Sequence, residues 1–245
     1  MNILKIIFKT LLLLTALGYL AFALFKISRP TGEMICTGVE YQYVDSELVR
    51  LIDDEMMDKY LGHFKISPKG KAFDDIDITN IGTKLSTIPY IDSVTVYHTA
   101  AGKLCIRIIP YHPLLHVYAQ DGDEFYVDEN GVIAPAGGLN TRLPIVTGNV
   151  TRKYASTRLI VLGQFLRDNE YWNEQVEQIN INSKEHVEII PRYIGQRIIL
   201  GEPKDIANKL ERVRLFYEKA LPKTGWNIYH TINASYKGQI ICTKQ

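Results

Sequence analysis

The chain has 245 residues, 46% of them hydrophobic and 22% charged, with a formal net charge of +1. With an isoelectric point near 7.7, it lacks the basic excess that marks a nucleic-acid binder. Its three cysteines, Cys36, Cys105 and Cys242, are too few and too far apart for a disulfide scaffold, and the odd count leaves at least one free or paired between chains.

The chain opens on a hydrophobic anchor. No residue from Thr10 to Phe25 is charged, and counting from Ile6 the apolar run is 20 residues long, interrupted only by Lys9. At about 1.5 Å per residue such a helix spans roughly 30 Å, the thickness of a bilayer core. The expected organisation is a cytoplasmic head over 1–9, a transmembrane helix over 10–27 and a linker over 28–34 that includes Pro30. Lys5 and Lys9 lie near one end and Lys26 and Arg29 flank the other, so charge bias alone does not set the orientation. The short head favours loop-in insertion with the long body translocated. The rival is a cleaved signal peptide, since Ala21-Phe22-Ala23 resembles a small-residue cleavage site. Against it, the apolar run exceeds the usual signal-peptide core of about 7–15 residues, and bulky Leu24, Phe25 and Lys26 follow.

Residues 35–112 read as β-α-α-β-β. Val39, Tyr41 and Tyr43 alternate with Glu40 and Gln42, which predicts a strand. Asp45 or Ser46 is the expected cap of a helix carrying Leu48, Leu51, Ile52, Met56 and Tyr60, stopped by Gly62. Asp77 is placed to cap a second helix with Ile78, Ile81, Leu85 and Ile88, closed by Pro89. A hairpin follows. Val94 and Val96 alternate with Ser93, Thr95 and Tyr97, Ala100-Ala101-Gly102 make the turn, and Leu104, Ile106 and Ile108 alternate with Cys105 and Arg107.

Residues 113–245 read as strands with longer helices. Strands are expected over 116–118 and 125–127, with a tight turn at Glu129-Asn130-Gly131, where Asn-Gly adopts positive φ. Leu159, Leu162, Phe165 and Leu166 mark a helix, and a shorter helical piece is expected through Trp172 and Val176. Strands over 179–181, 187–190 and 197–200 precede a helix from Asp205 to Leu221 with Ile206, Leu210, Val213 and Tyr217 on one face. The chain closes on extended segments over 231–236 and 239–243, around Gly238.

Several constellations look chemical and have simpler readings. His112 and His116 have the i, i+4 spacing of a helical metal pair, but Pro113 and the strand context deny them the helix. Asp121, Asp123, Glu124, Asp128 and Glu129 cluster like calcium ligands without the EF-hand spacing, as an acidic hairpin tip does. No G-x-S-x-G elbow is present, and Gly137-Gly138 lacks a phosphate-loop pattern. No catalytic residue, metal site or cofactor is expected.

The order of segments behind the lone anchor resembles the FtsQ/DivIB cell-division family. Pro89-Tyr90-Ile91 with Val94, Val96, Leu104-Cys105-Ile106 and Pro113 looks like the end of a POTRA domain. Phe125 to Gly131 looks like the hairpin opening the family's β domain, Arg142 to Gly148 like its Leu-Pro-x-x-x-Gly segment, and Leu200-Gly201 with the segment from Ile232 to Thr243 completes the pattern. The resemblance implies an α+β fold: a single N-terminal transmembrane helix, a POTRA-like domain over 35–112, and a mixed β domain with long helices over 113–245. It implies a non-enzymatic scaffold in the inner membrane, its body periplasmic, that binds the coiled-coil division proteins FtsB and FtsL at the septum. Its partner-binding strand falls on Ser235, Tyr236, Lys237, Gly238 and Ile240, with Tyr236 at the family's tyrosine. The sequence departs from the family where Gly-Gln-Ile-Ile-Cys stands at 238–242 and where it ends at Gln245 without a tail. The alternative reading is a POTRA-bearing assembly or translocation factor that handles other chains by strand addition.

Overall fold

The computed structural model describes residues 2–27, 34–44, 49–137, 141–192 and 195–244, and only the backbone of 2–7, 10 and 24–27. Residues 28–33 of the expected linker, the cap candidates Asp45 and Ser46, and Leu48 and Gly138 lie outside the described residues.

Helix α1 runs Asn2–Ile27, starting before residue 10 because no Gly or Pro interrupts 2–9. Among the described residues no helix is long and apolar enough to cross a membrane, so the expected span over 10–27 is not shown by the structure. Leu11, Leu14, Leu17 and Phe22 are each more than half exposed.

The first folded body follows the expected β-α-α-β-β order: β1 (Val39–Tyr43), α2 (Asp54–His63), α3 (Ile78–Leu85), β2 (Ile91–His98) and β3 (Leu104–Pro110). Its three-stranded sheet has the order β1-β3-β2, with β1 parallel and β2 antiparallel to β3. Parallel pairing of β1 with β3 needs a crossover, which α2 and α3 provide.

The first helix begins later than expected. Asp53, not Asp45 or Ser46, is the cap, its carboxylate accepting from the Met56 N–H at 2.8 Å. Leu51 and Ile52 enter the core from non-helical chain, 4% and 2% exposed, and Asp54 and Glu55 suit the positive end of the dipole. Asp77 caps α3 as expected, accepting from Asn80 N–H at 2.9 Å, and Ile88 lies beyond the helix yet stays buried.

The hairpin register pairs Val94 with Ile108, Val96 with Ile106 and His98 with Leu104. Cys105 breaks the expected alternation and is fully buried. It sits on the central strand with Glu40 and Tyr97 as its partners in register on either side, and their side chains flank it.

The second body is one nine-stranded sheet built from β4 (Pro113–Ala119), β5 (Glu124–Asp128), β6 (Ile133–Pro135), β7 (Ile145–Gly148), β8 (Val176–Ile181), β9 (Val187–Pro191), β10 (Arg197–Gly201), β11 (Tyr229–Asn233) and β12 (Ile241–Lys244). The strand order is β12-β11-β10-β9-β8-β7-β4-β5-β6. The parallel pair β7–β8 is bridged by α4 (Arg152–Tyr154), a π-helical turn over Ala155–Leu159, α5 (Ile160–Asp168) and α6 (Glu170–Gln175). The parallel pair β10–β11 is bridged by α7 (Ile206–Lys219) and α8 (Leu221–Thr224). These helices bury Leu162, Leu166, Trp172, Leu210 and Tyr217 in one core with the sheet.

Two boundaries differ from the sequence reading. Val176 opens β8 instead of closing a helix, its fully buried side chain being held by the sheet. The helix expected to reach Leu221 stops at Lys219 and a separate helical turn starts at Leu221, because Pro222 has no N–H to donate to the carbonyl four residues back and its ring crowds that carbonyl.

Strand β5 is buried on both faces. Phe125 and Val127 join the helix-side core, while Tyr126 joins Tyr90, Tyr111, Ala134 and Ala136 in the core of the first body. The Tyr111 hydroxyl donates to the Val132 carbonyl at 2.8 Å, tying the end of β3 to the turn before β6.

That turn depends on Gly131. Its φ is +78°, and an added Cβ would stand 2.5 Å from the carbonyl oxygen of Ser156 in the π turn. Gly131→Ala is expected to destabilise the protein by about 1–3 kcal/mol, from strained backbone alone. Thermal melting checks this, at about 2–4 °C per kcal/mol for a body of this size. Alkaline titration gives a second test. Burial, then the charge of Glu185, raises the Tyr154 phenol from 10.0 to about 12. The unfolded phenol ionises first, so this group's stabilising effect is complete below pH 10 and is lost as pH rises toward 12. Chemical denaturation from pH 9 to 12 should show a shallower loss in Tyr154→Phe than in the wild type.

Candidate partner-binding edge

The sheet has two edges of different character. Strand β6 has three residues, includes Pro135, and has its Ala134 buried in the core of the first body. Among the described residues strand β12 pairs on one side only, with β11, and its Ile241, Thr243 and Lys244 are exposed. An edge strand presents unpaired N–H and C=O groups to which another strand can add.

The five expected site residues do not lie in a strand. β11 ends at Asn233 and β12 begins at Ile241, so Ser235, Tyr236, Lys237, Gly238 and Ile240 fall in the loop between them. The extended segment expected over 231–236 therefore stops three residues early. Asn233 Oδ1 accepts from the N–H and the hydroxyl of Ser235, at 3.0 and 2.6 Å, folding the chain out of the sheet. The structure still brings the five together. Ser235 and Ile240 are half-buried and root the loop, and Ile240 packs on the helix-side core. Tyr236, Lys237 and Gly238 form the exposed tip, with Tyr236 49% exposed and Gly238 at φ +75°.

Arg212 on α7 holds this loop, and nothing in its sequence position marked it. Its Nη2 donates to the carbonyls of Ala234 and Tyr236, both at 3.1 Å. Gly201 gives Ser235 its room, since a Cβ there would meet the Ser235 Cβ at 2.9 Å. Beside Tyr236 lies an open cleft of about 540 Å³ lined by Glu202, Lys204, Asp205, Lys209 and Ser235. Lys209 is buried there and its ammonium donates to the Glu202 carbonyl at 2.8 Å, with burial lowering its pKa. The cleft is polar and of mixed charge, suited to receiving side chains.

Each constellation considered for chemistry is used structurally. His112 Nδ1 donates to the Val49 carbonyl at 3.0 Å, whereas His116 Nε2 meets Glu124 Oε1 at 2.9 Å and its ring packs on Tyr118 and Tyr126. Asp123 pairs with Arg152, and Glu129 with Arg167. Asp128 Oδ1 accepts from the N–H groups of Asn130 and Val132, shaping the turn. The described residues hold no group of three His, Cys, Asp or Glu side chains placed for a metal ion. The three cysteines are free thiols, Cys36 and Cys105 buried and Cys242 half-buried.

A family model described as FtsQ/DivIB, C-terminal related, matches residues 112–243, more than half of the chain. The chain belongs to the FtsQ/DivIB-like family. A POTRA-like domain model matches residues 34–109 of this FtsQ/DivIB-like protein, the β-α-α-β-β body. Among curated proteins none matches the chain. The family is one of non-enzymatic scaffolds, and its members act in cell division.

Replacing Arg212 tests how the loop of this FtsQ/DivIB-like protein is held. Arg212→Ala should cost about 1–3 kcal/mol for two lost charged hydrogen bonds. Amides 235–240 should then exchange faster with deuterium while those of β8 and β9 stay as slow as in the wild type.

Proposed function

We propose that the protein is a bitopic inner-membrane scaffold of the division machinery that recruits FtsB and FtsL at the septum. In this reading residues 1–9 are the cytoplasmic head, α1 spans the membrane over 10–27, 28–34 is the linker, and a POTRA-like domain over 35–112 and a β domain over 113–245 stand in the periplasm. The observation that carries it is the open β12 edge, beside a loop that displays Tyr236, at the end of the sheet opposite the first body. A partner strand adds to β12 and hydrogen-bonds along it. Tyr236 supplies an aromatic anchor next to that strand, with Lys237 and Gly238 at the tip and Ser235 and Ile240 holding the loop's shape. The exposed apolar side chains of α1 support the anchor. A helix apolar on all sides is stable when lipid surrounds it, and 26 residues reach about 39 Å.

Two measurements test this. The mature protein should keep its N-terminus and stay with the membrane through carbonate extraction; a mature chain that starts near Leu24 removes the anchor. Pull-down of the FtsB–FtsL pair by the body should weaken roughly 30-fold in Tyr236→Ala, the loss of about 2 kcal/mol typical of a truncated aromatic anchor. Unchanged binding by a mutant with a wild-type melt overturns the role of Tyr236.

A further inference from the structure

The first body receives the chain from α1 at an end built of three segments, with residues 34–37 in the middle. The Phe73 N–H donates to the Met34 carbonyl at 3.1 Å, the Cys36 N–H to the Lys71 carbonyl at 2.8 Å, and the Gly70 N–H to the Cys36 carbonyl at 2.9 Å. The N–H and the hydroxyl of Thr37 both donate to the Gly102 carbonyl at 3.0 Å, in the β2–β3 turn. The Phe73 ring packs on the His98 ring with centroids 4.5 Å apart, which joins the outer two segments. These bonds hold residues 34–37, 69–73 and 99–103 as one unit.

This unit exposes apolar side chains and unpaired cations together. Met34 is 40% exposed and Ile35 60%. Ala100 and Ala101 of the turn are exposed, and the Met34 Cε lies beside them, 3.6 Å from where a Cβ on Gly102 would stand. Lys69, Lys71 and Lys103 are exposed, and their ammonium groups make no hydrogen bond or ion pair among the described residues. Acids stand on the flanks. Glu40, Asp54 and Asp58 line one cleft that reaches Lys69, and Asp75 and Asp77 line another that reaches Lys71, with Asp74 in the turn leading to α3. None of residues 34–37 or 99–103 is acidic. Apolar side chains with lysines around them suit the headgroup boundary of an anionic bilayer.

Chain connectivity identifies what this end meets. Helix α1 stops at Ile27, and the seven Cα–Cα steps from there to Met34 reach at most about 25 Å, whatever the path. We propose that the end of the first body formed by Met34, Ile35, the 100–101 turn and Lys69, Lys71 and Lys103 docks on the surface of an anionic phospholipid bilayer. The proposal rests on reading α1 as the membrane anchor. Met34, Ile35 and the turn alanines enter the headgroup boundary, and the three ammonium groups pair with lipid phosphates. The short tether makes docking intramolecular, so a contact too weak to hold a free protein is populated. Docking fixes the orientation of the first body, and through the core around Tyr126 that of the nine-stranded sheet.

The test uses the full chain in lipid nanodiscs of phosphatidylcholine, alone or mixed equally with phosphatidylglycerol, with acyl chains brominated to quench tryptophan. Ala101→Trp puts a reporter in the turn, read against the parent chain with its Trp172 and Trp226. The reporter should be quenched in the anionic discs. Each lysine near an anionic surface favours docking about fivefold, so the docked-to-undocked ratio should be at least roughly tenfold lower in phosphatidylcholine alone. Added salt should weaken the quenching. Lys69→Glu, Lys71→Glu and Lys103→Glu together should abolish it. Lys184→Glu, Lys219→Glu and Lys223→Glu, the same charge change at other exposed positions, should leave it intact, with melting as the folding control. An unquenched reporter in a chain that co-elutes with the discs overturns the proposal and leaves the anchor standing. Equal quenching in the two kinds of disc, or full quenching in the first triple variant with a wild-type melt, also overturns it. A chain that leaves the discs overturns the anchor and the docking together.

Discussion

Burial of β5 on both faces is the constraint on which the rest of the structure depends. Phe125, Tyr126 and Val127 are consecutive and each is 0% exposed. Side chains alternate along a strand, so three buried neighbours require apolar material on both sides of the sheet. On one side that material is the helix layer, on the other the core of the first body. Each such side chain contributes about 1.5–3 kcal/mol of burial. Neither body encloses Tyr126 without the other, so the joint is part of the core. The first body occupies the β5–β6 end of the sheet in doing so, which leaves β12 at the far end as the open edge.

The polar groups are arranged around that joint and its turns. Asp128 holds two backbone N–H groups of the β5–β6 turn, and Gly131 lets the same turn lie against the π-helical segment. Glu129 and Arg167, then Asp123 and Arg152, connect the acidic hairpins to the helices. These pairs are largely exposed, and exposed pairs contribute little energy. Their effect is to fix where loops lie, and to use up the acids that would otherwise resemble a cation site.

Errors in reading the sequence have local physical causes. Asp45, Ser46 and Asp53 are all competent caps, and the choice of Asp53 rests on Leu51 and Ile52 being needed in the core, a tertiary requirement. Cys105 read as outward-facing, but a central strand with Glu40 and Tyr97 alongside is covered on that face too. Tyr236 read as the end of an extended segment over 231–236, and the family resemblance put it in the partner-binding strand. The Asn233 side chain and Arg212, twenty-odd residues away in sequence, turn the chain into a loop instead.

Sequence alone determined the element order of the first body, the Asn130-Gly131 turn, the β8–β10 succession and the face of α7 that is buried. All of these are set by short-range periodicity, capping and turn chemistry. Only the tertiary structure decided that β1 pairs with β3 and that β5 is enclosed twice. Tertiary structure likewise determined that β12 is an edge and that Arg212 shapes the loop of Tyr236. Such features depend on groups distant in the chain meeting in space, and that meeting is fixed by how the whole apolar surface is buried, a sum that no local window contains.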